Sequence, residues 1–154
     1  MDWAKRDHSD GALVIWGPVG TGKSALAAAT LRYMIAAHGR AGFWAPTRKI
    51  VNAIRSSLYG KDRSAAEELT QALGTVEVLA LDDLGWEHAT EWASDLIDGV
   101  IDDRYNARKI TICTTNEDPR KAGTLSGRIG QRSASRLLHG ATVIRINGPD
   151  LRVA

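Results

Sequence analysis

The chain has 154 residues, 44% of them hydrophobic and 25% charged, with a formal net charge of +2. That length suits one domain with a real core, and so weak a positive charge does not by itself imply nucleic acid. A single cysteine, Cys113, excludes an internal disulfide framework and a multi-cysteine zinc site, and suits a reducing cytoplasm.

No apolar run approaches the roughly 18 residues that a membrane span needs. The N-terminus, M-D-W-A-K-R-D-H-S-D, lacks the apolar core of a secretory signal. Residues 3–10 read as a short helix or an arm. A first strand is expected over Ala12–Trp16, and a helix from about Lys23 to Ala37, rich in Ala and Leu, ended by Gly39. A short strand near Gly42–Ala45 is stopped by Pro46. Helical spacing of Ile50, Val51, Ile54 and Leu58 follows over Thr47–Leu58. Tyr59-Gly60-Lys61-Asp62 reads as a turn. Ser64, with Glu67 three residues on, predicts a capping box at the start of a helix that runs to about Leu73.

Val76–Leu81 reads as a strand covered on both faces, interrupted only by Glu77 and ending in Asp82-Asp83. Residues 90–105 form an amphipathic helix, with Trp92, Leu96, Ile97, Val100 and Ile101 inward. Glu91, Asp95, Asp98, Asp102 and Asp103 mostly face water. A fourth strand over Lys109–Thr114, a loop and short helix over Asn116–Leu138, and a fifth strand over Ala141–Ile146 complete the chain. Strands alternating with helices predict a parallel sheet with helices on both faces. Right-handed crossovers then put every loop that follows a strand on one edge of the sheet, where ligands bind in such folds.

Gly17–Ser24, G-P-V-G-T-G-K-S, matches the phosphate-binding pattern G-x-x-x-x-G-K-[ST] at each fixed position. An apolar strand precedes it and a helix follows, which is the context the motif needs. Gly17, Gly20 and Gly22 allow positive φ and close approach of backbone to ligand. Pro18, Val19 and Thr21 complete the loop, whose N–H groups and helix start face an anion. Lys23 reaches the β- and γ-phosphates, and Ser24 offers its hydroxyl to Mg²⁺. Asp82, at a strand tip, suits the shell of a magnesium bound to those phosphates. Asp83 is placed to orient or deprotonate the attacking water. Thr114-Thr115-Asn116 follows the next strand, and the Asn116 amide can bond the γ-phosphate or the water. Arg120, Lys121, Arg128, Arg132 and Arg136 form a basic cluster, with Arg132 and Arg136 on one helical face. It reads either as a solvated surface or as the source of an arginine that neutralises transition-state charge from a neighbouring subunit. Spacing does not decide between these.

The segments G-P-V-G-T-G-K-S, L-A-L-D-D-L-G, R-Y-N-A-R-K-I-T-I-C-T-T-N and R-S-A-S-R-L, in this order, resemble an AAA+ ATPase. The group is that of the bacterial helicase loaders (DnaC/DnaI) with their relative, the transposition helper IstB. The resemblance spans roughly residues 11–152. It implies an α/β, three-layer P-loop NTPase with a five-stranded parallel sheet; most AAA+ proteins add a helical lid after the fifth strand, and the expectation here, as a departure from the family, is no C-terminal helical lid. It implies ATP and Mg²⁺ as ligands, with Lys23 and Ser24 in the nucleotide loop, Asp82 and Asp83 as the Walker B acids and Asn116 as sensor one. R-x-x-x-R-L places the arginine finger on Arg132, with Arg136 second. Gly148-Pro149-Asp150-Leu151-Arg152 resembles the family's terminal motif, which makes Arg152 sensor two. The family implies assembly of like subunits through Arg132, a replicative helicase and single-stranded DNA as partners, and no membrane. A single AAA+ domain over 1–154 is expected, without the region by which loaders grip the helicase.

Three functions compete at this level. One is an ATPase switch acting on single-stranded DNA or a helicase, with the transposition helper as its near relative. The second is a small-molecule kinase, against which Asp82-Asp83 and the T-T-N segment argue. The third is a non-hydrolysing, nucleotide-gated adaptor, against which the intact acids weigh. Of the five tryptophans, Trp3, Trp16, Trp44 and Trp92 are expected mostly in the core. Trp86 is the candidate for touching DNA or a partner.

Overall fold

A computed structural model describes residues 11–60, 62–85 and 90–153. The expectations for residues 3–10, Lys61 and Trp86 lie outside these. Five parallel strands, β1 (Ala12–Trp16), β2 (Gly42–Pro46), β3 (Val78–Asp82), β4 (Ile110–Thr115) and β5 (Thr142–Arg145), make one sheet in the order β2-β3-β4-β1-β5. Among the described residues six helices connect them: α1 (Lys23–His38), α2 (Thr47–Tyr59), α3 (Arg63–Thr75), α4 (Glu91–Asn106), α5 (Leu125–Ile129) and α6 (Gln131–Leu138). The α/β doubly covered sheet expected from the alternation of strands and helices is the fold observed.

Strand order decides where the helices go. The β1–α1–β2 connection crosses the sheet in one direction, and every later connection returns in the other. Right-handed crossovers therefore place α1 on one face and α2–α6 on the opposite face. The two apolar clusters follow this division. Leu13, Ile15, Ala80 and Ile112 meet Ala27, Leu31 and Met34 of α1. Val14, Leu79, Leu81 and Cys113 meet Val51, Ile54, Leu73, Ile97, Val100, Leu125 and Leu137 from the other helices. Neighbours along β1 thus alternate between clusters, as a strand of period two requires.

Four local expectations are corrected. The cap of α3 is Asp62, whose carboxylate accepts from the Ala65 N–H (3.1 Å) and from the Ser64 hydroxyl (2.9 Å), in place of a Ser64–Glu67 box. β3 begins at Val78, because Val76 still closes α3 with its N–H on the Ala72 carbonyl. Glu77 therefore lies before the strand, where it accepts from the Ala41 N–H and pairs with Arg40. The segment after β4 carries two helices, separated at Gly130, whose φ of 86° breaks the helical path. Asp98 and Asp102 turn toward α6, where Ser133 donates to Asp98 and both Arg132 and Arg136 pair with Asp102. Three of the tryptophans expected in the core, Trp16, Trp44 and Trp92, are half-buried. Trp16 carries the Arg145 guanidinium 4.8 Å from its ring centre.

Arg104, fully buried at the end of α4, joins three elements. It donates to the carbonyls of Leu73 (2.8 Å), Val76 (2.8 Å), Glu77 (3.4 Å) and Ile110 (2.6 Å) and to the Thr111 hydroxyl (3.0 Å). Burial pulls its pKa down to about 10. Its five N–H donors match this set of acceptors, which a shorter cation would leave partly unsatisfied.

Candidate nucleotide site

The carboxyl ends of β1, β3 and β4 meet on one edge of the sheet. β4 lies between the other two, with Trp16 paired to Thr115 and Leu81 to Cys113. β1 runs into the loop Gly17–Gly22, and α1 begins at Lys23 directly after it. Gly17, Gly20 and Gly22 hold φ of 146°, 80° and 90°, values that L side chains rarely adopt. The loop closes on its own second residue: Thr21 Oγ1 and Lys23 Nζ both donate to the Pro18 carbonyl, at 2.9 and 2.7 Å. Val19 stands exposed at the tip.

Lys23 is held in the protein interior, 7% exposed. Burial lowers its pKa. The charges of Asp83 and Asp82 work against that shift, and Arg152 adds to it. One ammonium thus senses both acids and the C-terminal arginine. Ser24, on the first turn of α1, spans the gap left by β4 and donates to Asp82 Oδ1 at 2.7 Å. A hydroxyl and a carboxylate oxygen in contact are the hard oxygen donors that Mg²⁺ takes, with phosphate and water completing its shell. The residues present therefore fit that ion.

Asp82 is fixed from further sides. Thr114 Oγ1 donates to the same Oδ1 (2.7 Å), and Thr47 Oγ1, at the start of α2, donates to the Asp82 carbonyl (2.8 Å). Asp83 adopts φ of 60°, in the left-handed region. Its N–H donates to Thr114 Oγ1 (2.9 Å), and its carboxylate accepts from Asn116 Nδ2 (3.3 Å). Lys23, Ser24, Asp82, Asp83 and Asn116 are thus brought together, although up to 93 positions separate them in the chain.

The C-terminal segment lies across the loop. Ile146 N–H donates to the Trp16 carbonyl (2.8 Å), and Leu151 N–H to the Gly20 carbonyl (3.0 Å). A Cβ on Gly17 would stand 2.0 Å from the Ile146 carbonyl oxygen, and one on Gly20 would stand 1.9 Å from the Asp150 carboxylate. Gly17 is therefore required by the main chain of this segment as well as by its own dihedral, whereas at Gly20 the dihedral is the constraint and the Asp150 side chain the neighbour that would have to turn away. Arg152 donates to Asp150 through its main-chain N–H, Nε and Nη2, each at 3.0 Å, which holds the Asp150 carboxyl below its usual range.

Arg132 and Arg136 lie on α6 and meet Asp102 of α4, away from these contacts. They differ in exposure. The Arg132 side chain is 67% exposed and 3.7 Å from Asp102. The Arg136 side chain is 19% exposed and also sits 5.7 Å from the centre of the Tyr105 ring.

Sequence reasoning named Thr114 only as part of T-T-N, and gave no role to Thr47 or Asp150. The signal for Thr114 was a hydroxyl on an otherwise apolar strand, next in the sheet to one that ends in acids. For Thr47 and Asp150 no pattern in the sequence marks the contact.

A model of the IstB-like ATP binding protein family matches residues 2–154. The replicative helicase loader DnaC of Buchnera aphidicola from Acyrthosiphon pisum is 24% identical over 126 residues, 82% of this chain and 50% of that protein. Its counterpart from the Baizongia pistaciae symbiont is 26% identical over the same shares. The chain thus spans about half the length of these curated relatives. A crystal structure of the DnaC helicase loader superposes with a TM-score of 0.82 at 28% identity, covering 95% of this chain and 85% of that one. A DnaI structure, 22% identical, superposes at 0.77 over 95% and 82%. Replication initiator DnaA bound to AMPPCP and single-stranded DNA superposes at 0.78 with 21% identity, over 96% of this chain and 44% of that one, and so shares the fold. Among the described residues no helix is long and apolar enough to cross a membrane. With a nucleotide-type loop at the edge of this sheet and a family match over nearly its whole length, the chain belongs to the IstB-like ATP-binding protein family, on the AAA+ core of the DnaC/DnaI group.

Proposed function

We propose that the chain is an ATP-hydrolysing switch of the helicase-loader type, which works by assembling side by side and acts on a replicative helicase, on single-stranded DNA, or on both. The observation that carries this reading is the convergence of Lys23, Ser24, Asp82, Asp83 and Asn116 at the ends of three parallel strands. Loader over transposition helper is favoured by the DnaC relatives in sequence and in structure.

In this reading the triphosphate is cradled by the N–H groups of Gly20–Ser24 and the positive end of α1. Lys23 leaves the Pro18 carbonyl for the β- and γ-phosphates. Ser24 and Asp82 are the residues that would hold Mg²⁺, which when bound supplies charge neutralisation on the phosphates. Asp83 accepts the proton of the attacking water, and Asn116 holds that carboxylate and reads the γ-phosphate. Arg132, the more exposed arginine of α6, reaches the site of a neighbouring copy, while Arg136 braces α6 on Asp102 and Tyr105. Arg152 approaches the phosphates from the C-terminal segment. Against a kinase reading stand the tandem acids Asp82-Asp83 and the Thr114-Thr115-Asn116 segment.

The test is ATP turnover across protein concentration, with and without single-stranded DNA. Turnover per chain should rise with concentration, and Lys23→Ala should abolish nucleotide binding. Turnover independent of concentration would overturn the assembly step. A phosphorylated small product would favour the kinase.

A further inference from the structure

One hydroxyl serves both acids of the site. Thr114 Oγ1 donates to Asp82 Oδ1 at 2.7 Å, and its lone pair accepts the Asp83 N–H at 2.9 Å. The main-chain carbonyl of the same residue accepts the Leu84 N–H at 2.8 Å. The last paired residues of β3 and β4 are Leu81 and Cys113, so Thr114 stands level with Asp82, where the regular ladder stops. Beyond that point Thr114 alone supplies the acceptors for Asp83 and Leu84. The turn it stabilises contains the left-handed Asp83. Thr114 is 1% exposed, so water does not compete for these bonds.

The bonds are directional and mutually dependent. Asp82 as a carboxylate accepts only, so the Thr114 proton must point at it. With its proton committed, the hydroxyl presents lone pairs to Asp83 N–H. The orientation of the Asp82 carboxylate and the backbone turn that aims the Asp83 side chain at Asn116 are then set by the same oxygen.

We propose that Thr114 is the positioning residue for the Asp82–Asp83 pair, fixing the metal-facing carboxylate directly and the water-facing carboxylate through its backbone. This rests on the ATPase reading above. The contacts of the Thr114 hydroxyl are with the two acids themselves. It acts through the two acids, so its loss affects the chemical step and the Mg²⁺ requirement and spares the loop that grips the nucleotide.

The experiment compares Thr114→Val, which keeps the shape and removes the hydroxyl, with Thr114→Ser, which keeps the hydroxyl. Thr114→Val should bind ATP within about threefold of the unmodified chain, while kcat falls by about 10²-fold, the scale of a small misplacement of catalytic groups. Half-saturating Mg²⁺ should rise several-fold, and Thr114→Ser should recover most of both. A second readout needs no turnover. In the nucleotide-free chain, the Asp83 amide should exchange about tenfold faster in Thr114→Val, with core strand amides unchanged. Unchanged kcat and Mg²⁺ requirement, an Asp83 amide as protected as before, or Thr114→Ser as impaired as Thr114→Val would each overturn the proposal. If Thr114→Val does not fold, Thr114→Ala carries the same expectations, and failure of both to fold overturns it in favour of a purely structural role. An unmodified chain that does not turn over ATP sinks the ATPase reading, and the amide-exchange comparison still decides whether Thr114 holds the turn.

Discussion

Asp83 is the residue on which the chemistry and the backbone make opposed demands. Its φ of 60° costs on the order of 1–2 kcal/mol for a residue with a Cβ. The cost is offset by the bond to Thr114 and by the Asn116 amide 3.3 Å from its carboxylate. Asparagine tolerates the same left-handed conformation and has nearly the same shape, so Asp83→Asn should leave the turn intact. Nucleotide binding should then change by no more than about threefold, and phosphate release should drop by about 10²–10⁴-fold, the worth of a positioned base. Equilibrium nucleotide titration beside a phosphate-release assay checks both numbers. Turnover equal to that of the unmodified chain would remove Asp83 from the base role, and nucleotide binding without turnover in the unmodified chain would favour the adaptor reading.

At the scale of elements, α6 and the C-terminal segment carry the arginines, and they hold them differently. On α6, Asp102 engages both guanidiniums, yet only Arg132 remains mostly open to solvent. Arg132→Ala should bind nucleotide normally and lose turnover by on the order of 10³. Mixing it with Lys23→Ala chains should restore part of the activity, since each variant then supplies what the other lacks. Full turnover in Arg132→Ala alone would end the finger assignment. In the C-terminal segment, Arg152 is engaged by Asp150, whose carboxylate lies against Gly20. In the proposed role of Arg152 as sensor two, a phosphate competes with that carboxylate for its guanidinium. Asp150→Asn should therefore tighten ATP binding by up to about fivefold, the scale of an exposed ion pair, and Arg152→Ala should cancel the gain. Weaker binding in Asp150→Asn would show that the carboxylate supports the loop instead of opposing the nucleotide.

For the whole molecule, the central strand β4 joins the two faces of the sheet, giving Cys113 to one apolar cluster and Ile110 and Ile112 to the other. Cys113 lies in the middle of β4 and is completely buried, which raises its thiol pKa from 9.0 to about 12. The unfolded chain gives up this proton near 9, and the fold keeps it until about 12. Above pH 9 the unfolded state therefore binds fewer protons, and stability falls with rising pH until about 12. Melting temperature should decline over that window, and Cys113→Ala, less stable at neutral pH, should show a shallower decline. At neutral pH the thiol should react with alkylating reagents only as fast as the chain opens. Rapid labelling of the native chain would contradict its burial.

Periodicity and punctuation made most of the fold legible. β1 and the start of α1 fall where the apolar run and the glycines put them, because a buried parallel strand and a phosphate loop leave local marks. The ends of α3 and β3 were misread, since Asp62 outcompetes Ser64 for the cap and Arg104 draws the Leu73, Val76 and Glu77 carbonyls into one knot. The order β2-β3-β4-β1-β5 is a matter of chain crossings that no local pattern records. It is this order that puts Thr114 between the loop and the acids. By itself, the sequence determined which side chains are available to a nucleotide: a lysine and serine on a glycine loop, two acids after a strand, an amide after another. Only the tertiary structure decided that one threonine hydroxyl aligns both acids, that Asp150 lies on Gly20, and that Arg132 is open where Arg136 is closed. Those facts depend on contacts between residues far apart in the chain, and such contacts are set by packing.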